Sequence, residues 1–116
     1  MNRDEVIKKL KEICKDYSDI LGMVILFGSL SRNEADEKSD IDLYIEPNDR
    51  KMTTAKFGEC RRYKEFKFDL YDTFPNEFDL LSYGGTRDIN GIRQSSLWKQ
   101  IEKDGVLIYD KRAETV

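Results

Sequence analysis

The sequence predicts one α/β (α+β) domain, a small mixed β-sheet flanked by helices. Three observations predict it. The 116 residues suffice for one domain with one core, spanning 1–116. Short apolar runs with strand character alternate with segments of helical periodicity. No repeat, low-complexity tract or long linker interrupts that alternation.

The first helix is carried by Val6, Ile7, Leu10, Ile13, Cys14 and Tyr17, with Asn2 and Glu5 spaced as a capping box. Residues 18–22 break it. Met23 to Phe27 is a short apolar run stopped by Gly28, which predicts a buried strand. Ile41, Leu43 and Ile45 alternate with Asp42, Tyr44 and Glu46 until Pro47, a second strand with one face in the core. Residues 50–63 carry a weak helical pattern. Phe66, Phe68 and Leu70 alternate with Lys67, Asp69 and Tyr71, which predicts a third strand. Residues 75–85 read as a loop with a Gly84-Gly85 tip. Ile89, Ile92, Leu97 and Ile101 predict one last helix, capped by Asp88 and closed by Gly105. A short strand over 106–109 completes the order α-β-β-α-β-α-β.

Composition excludes several classes of chemistry. Charged residues make up 37% of the chain, against roughly 25% in an average protein, so the surface is heavily charged. The net charge of −3 argues against nucleic acid as a direct ligand. No run approaches the roughly 18 apolar residues of a membrane span, and the N-terminus lacks the apolar stretch of a secretory signal. A cytoplasmic location is therefore expected. With no histidine, Ser–His and Cys–His nucleophiles and His-ligated zinc are out. Cys14 and Cys60 are far apart and read as idle thiols. Carboxylates, hydroxyls, Arg and Lys remain, an inventory suited to magnesium and phosphate chemistry.

The informative stretch is VILFGSLSRNEADEKSDIDLYIE, residues 24–46. Gly28 directly follows a strand and lets a backbone N–H approach a ligand. Ser29 adds a hydroxyl, and the residues after it can start a short helix that favours an anion. Arg32 can neutralise phosphate charge. Asp40 and Asp42, two apart on a strand, leave the same face about 6.5 Å apart, where they repel unless a divalent cation lies between them. Asp69 is the expected third carboxylate, with Asp72 its competitor on the other side of that strand. A single Gly-Ser pair or Asp-x-Asp is ordinarily a turn or a solvated strand face; the conjunction carries the signal.

Gly28-Ser29-x-x-Arg32, then Ser39-Asp40-x-Asp42 opening an apolar strand, then a later acid, resembles the nucleotidyltransferase fold of the DNA polymerase β superfamily. Size and layout are most similar to its minimal nucleotidyltransferases (MNT), the small partners of HEPN proteins in toxin–antitoxin pairs. The closing IEKDGVLIYD extends the resemblance over nearly the whole chain. One departure is Asn33, where the family usually has glycine after the arginine. The resemblance implies a Mg2+-dependent transfer of AMP from ATP to a hydroxyl. Asp40, Asp42 and Asp69 would be the catalytic and metal-binding acids, and Gly28, Ser29 and Arg32 would hold the nucleotide. In the family's antitoxins the acceptor is a tyrosine of the HEPN toxin.

Two rivals stand beside this reading. One is a non-catalytic antitoxin that neutralises its partner by contact alone, which Asn33 favours. The other is a phosphatase of the haloacid-dehalogenase type, which shares Asp-x-Asp but places it after an apolar strand; here the apolar run follows Asp40. The Arg61, Arg62, Lys64 and Lys67 cluster reads as solvated surface, Trp98 as core, and the 83–85 tip as an ordinary loop.

Overall fold

The computed structural model describes residues 2–32 and 39–111. Among the described residues nine elements follow in order: α1 (Arg3–Lys15), β1 (Leu21–Phe27), β2 (Ile41–Pro47), α2 (Thr54–Glu59), α3 (Arg61–Thr73), β3 (Phe78–Ser82), α4 (Thr86–Arg93), α5 (Ser96–Asp104) and β4 (Val106–Asp110). The strands form one mixed sheet in the order β3-β2-β1-β4. β1 runs antiparallel to β2 and β4, whereas β2 and β3 are parallel. That parallel pair needs a crossover, which α2 and α3 supply.

Period-2 alternation divides the sheet residues between two layers. Ile41, Leu43 and Ile45 of β2 join Val24 and Leu26 of β1 in the larger core, against Val6, Leu10 and Cys14 of α1 and Phe66 and Leu70 of α3. Tyr44 points to the opposite face, into a smaller core with Trp98 and Ile101 of α5, bordered by Met23, Ile25 and Phe27. So α1 and α3 cover one face and α5 the other, with Asp42 and Glu46 on the Tyr44 side by alternation.

The helix starts follow local chemistry. Asn2 accepts from the Glu5 backbone N–H at 2.9 Å, as the capping box predicts. Thr53 and Ser95 cap α2 and α5 the same way. The single helix expected over 89–101 is divided at Gln94-Ser95, because the Ser95 hydroxyl takes the Trp98 N–H and starts a new helix. Asp88 is not a cap. Gly85, at φ +81°, occupies the N-cap of α4, and the Asp88 carboxylate instead accepts from the Thr54 hydroxyl at 2.8 Å. Gly105 does close α5, in extended rather than left-handed backbone; a Cβ there would overlap the Ile101 carbonyl oxygen.

The expected third strand at 66–71 is a helix, and the true third strand lies inside the expected loop. Tyr63, Phe66 and Leu70 are buried at spacings of three and four, while Phe68 is 69% exposed. A strand would have buried Phe68 together with Phe66 and Leu70. Helical spacing buries the other aromatics and leaves Phe68 outside.

Candidate active site

The site is built where β1 ends and β2 begins. Phe27 pairs with Asp42 across the antiparallel ladder, so the next residue, Gly28, lies beside the Asp42 side chain. Gly28 has φ +80°, and a Cβ there would overlap the Asp42 carboxylate. Glycine is required twice, by backbone conformation and by space. Residues 28–32 form a bend and turn rather than the start of a helix. The Ser31 hydroxyl donates to the Gly28 carbonyl at 2.7 Å, and the Arg3 Nε donates to the Ser31 carbonyl at 3.2 Å. The turn is thus tied both to itself and to α1. Asn33 lies outside the described residues.

Across the parallel ladder Asp42 stands in register with Asp79 of β3. Neighbouring strands are about 4.8 Å apart, so the two side chains leave the same face side by side. The strand starts are clamped together. Ile41 N–H donates to the Glu77 carbonyl at 2.8 Å, and Asn76 Nδ2 to the Ser39 carbonyl at 2.8 Å. Asp40 is exposed one residue before β2. The Asp42 carboxyl is pushed above the usual carboxylate range, first by burial and then by the negative charges of Asp79 and Asp40; Arg32 opposes the shift. The Arg32 guanidinium also lies 4.0 Å from Asp104, the last residue of α5. Among the described residues no three acids close around one point, so these carboxylates line a strand-end surface rather than a cage.

Asp69 is not part of this surface. It lies on α3, which packs against the Ile41, Leu43 and Ile45 face, and its carboxylate accepts from the Tyr17 hydroxyl. Burial, and then that bond, push the Tyr17 phenol up to about 12. Asp72 is on the same helix and exposed. The sheet itself separates both from Asp42. The residue that sequence reading missed is Asp79. The tripeptide Phe-Asp-Leu occurs at 68–70 and again at 78–80; the second copy, between Pro75 and Gly84, is the strand.

Further along the same face, Glu46 is almost fully buried yet satisfied. It accepts from the Tyr44 hydroxyl at 2.5 Å and from Arg93 at 2.8 Å, and Arg93 lies over the Trp98 ring at 5.3 Å. Burial raises the Tyr44 phenol, and the Glu46 bond adds to it. This network makes a rigid floor between β2 and the α4–α5 pair. Elsewhere, Arg62 ties α3 to the turn after α1 through Asp19 and the Tyr17 ring, and pairs with Glu65 on its own helix. Both cysteines are free, and burial pushes the Cys14 thiol up to about 12, which keeps it inert.

Known proteins share this fold. The family model "Polymerase beta, Nucleotidyltransferase" matches residues 8–114. A protein of Methanocaldococcus jannaschii named "Putative protein adenylyltransferase MJ0128" is 36% identical over 106 residues, covering 90% of this chain and 91% of that one. A second from the same organism, named "Putative protein adenylyltransferase MJ0141", is 49% identical over 45 residues, 35% of this chain and 46% of that one. The fold matches a chain of a toxin–antitoxin crystal structure with AMP-PNP at TM-score 0.55 and 22% identity, covering 98% of this chain and 77% of that chain. It also matches a chain in the complex of tri-AMPylated Shewanella oneidensis HEPN toxin with MNT antitoxin, at TM-score 0.50 and 18% identity, covering 97% and 76%. With the family motif along nearly its whole length and acids gathered at the start of β2, this chain belongs to the polymerase β nucleotidyltransferase family and is a nucleotidyltransferase similar to protein adenylyltransferases.

Proposed function

We propose that the chain transfers AMP from ATP, with Mg2+, to a hydroxyl of a protein partner, and that it acts in the cytoplasm as the antitoxin of a HEPN-type toxin. The observation that carries the reading is the Asp42–Asp79 register beside Gly28. Burial and like charge make the Asp42 carboxylate unfavourable by itself, and a divalent cation removes that penalty. The donor set is all hard oxygen. It is also open, which suits magnesium: that ion keeps several waters and takes one or two carboxylates together with substrate phosphates.

Asp42, paired with Asp40 or Asp79, would hold the metal, which when bound would offset the charge of the triphosphate. The Gly28 backbone and the Ser29 hydroxyl meet the distal phosphates, and Arg32 counters their charge. The acceptor oxygen bonds to the α-phosphorus while the bond to the bridging oxygen breaks, and pyrophosphate leaves. Asp79, exposed at the sheet edge, takes the acceptor's proton. The names of the relatives support AMP as the group moved and a HEPN toxin as the partner.

The test is transfer of label from α-labelled ATP, with magnesium, to a co-expressed HEPN protein. Transfer by the wild-type chain and none by Asp42→Asn supports the reading. Neutralisation of the toxin by Asp42→Asn without any transfer would establish the contact-only alternative.

A further inference from the structure

We propose that Tyr71 is itself an acceptor of AMP, delivered by a second copy of this chain. This rests on the transfer activity proposed above and goes beyond it by naming an acceptor within the chain. A phenol is a better nucleophile near neutral pH than an aliphatic hydroxyl, because its pKa near 10 leaves more of it ionised. The chain holds six tyrosines, and the structure closes off most of them. Tyr17, Tyr44 and Tyr63 are buried with their hydroxyls bonded to Asp69, Glu46 and Ser82. Tyr109 is buried, and Tyr83 is half-buried with its ring stacked on Tyr44. Tyr71 is 55% exposed.

Its surroundings present it rather than merely expose it. The ring packs edge-on against Phe78 at 5.5 Å, which fixes its direction on a helix that is itself anchored in the core. Phe68, three residues earlier on the same helical face, is the most exposed large apolar side chain among the described residues. Adjacent exposed aromatics of this kind mark a surface that another protein covers. Lys64, one turn before Phe68, places a cation beside the patch, where it can meet a triphosphate or the acidic strand ends of another copy.

The donor must be a second copy. Phe78 and Asp79 are successive on β3 and point to opposite faces, and Tyr71 lies on the Phe78 side. The sheet therefore stands between Tyr71 and its own carboxylates. In the step, the Tyr71 oxygen bonds to the α-phosphorus of a nucleoside triphosphate bound to the other copy. The bond to the bridging oxygen breaks, pyrophosphate leaves, and the phenol proton passes to a carboxylate of that copy.

The experiment incubates the purified full chain with ATP and magnesium, followed by intact mass and fragment mapping. An AMP adduct on Tyr71 that disappears in Tyr71→Phe is the expected result. Mixing is decisive for the direction of transfer: inactive Asp42→Asn should acquire the adduct from active Tyr71→Phe, and Asp42→Asn alone should not. Thermal melts of both variants confirm that each is folded. An adduct on another residue, or one persisting in Tyr71→Phe, overturns the inference. No adduct on a chain that still labels a HEPN protein overturns it while leaving the transfer activity intact. No label on either protein removes both.

Discussion

The Asp42 carboxylate fills the space that a side chain on residue 28 would need, and Gly28 holds φ +80° beside it. In the proposed function glycine and acid are one device: the backbone that would approach a phosphate lies against the carboxylate that would approach a metal. Gly28→Ala should therefore cost stability twice, through backbone strain and through overlap, about 2 kcal/mol together. Chemical denaturation measures it. Combining Gly28→Ala with Asp42→Ala should recover the part due to overlap and leave the part due to strain.

Asp42→Asn should stabilise the metal-free protein while abolishing transfer. The Asp42 carboxyl is raised in the folded state. Its contribution is then favourable below the unfolded value near 4 and is lost as pH rises through the folded value. The wild type therefore carries a penalty at pH 7 that the amide does not. Melting curves should favour Asp42→Asn at neutral pH, and the difference should close in acid. Transfer should fall about 10²-fold or more, the scale of losing one electrostatic contact to a transition state.

Asp79 and Asp69 separate the site from its look-alike. Asp79→Asn should remove transfer and leave the melting temperature nearly unchanged, because the side chain is exposed. Asp69→Asn should do the reverse. Transfer persists, and stability drops by about 1 kcal/mol as Tyr17 loses a charge-assisted bond. Parallel transfer assays and denaturation curves on the two variants test this directly.

Tyr17 should report on the same bond in alkali. Its phenol is pushed up to about 12, so the folded chain holds its proton where the unfolded chain loses it. That contribution is intact below pH 10 and is lost between about 10 and 12. Tyr44 and Tyr63 are raised as well, so ultraviolet titration should show several late-ionising tyrosines, of which Asp69→Asn shifts one back toward 10.

The buried Glu46–Arg93 pair predicts an asymmetric response. Arg93→Met strands an almost fully buried carboxylate and should cost about 3 kcal/mol. Adding Glu46→Gln should restore much of it, since the amide still accepts from Tyr44. A double-mutant cycle by denaturation gives the coupling.

Some of this was decided by local sequence. The capping box at Asn2, the β1 run into Gly28 and the strand conformation of β2 read correctly, because each element's own residues settle its conformation; the expectation that only one face of β2 lies in a core did not hold, since Tyr44 and Glu46 are buried beneath α4 and α5. Gly28, Asp40 and Asp42 lie at the end of β1 and the start of β2, so these candidate residues were legible from spacing alone. The placement of Asp69 and Asp79 was not. Phe68-Asp69-Leu70 and Phe78-Asp79-Leu80 are the same tripeptide, and nothing local tells helix from strand in so short a run.

Only tertiary packing decides between them. Tyr63, Phe66 and Leu70 find an apolar layer that fits a helical stripe, so the first tripeptide folds as α3 and turns Asp69 toward Tyr17. The second finds the open edge of β2, whose unpaired backbone groups it satisfies, and that ladder sets Asp79 level with Asp42. Register between strands 37 residues apart (79 − 42) is a property of the whole sheet. The sequence names the chemistry of the acids; the packed layers determine which of them meet.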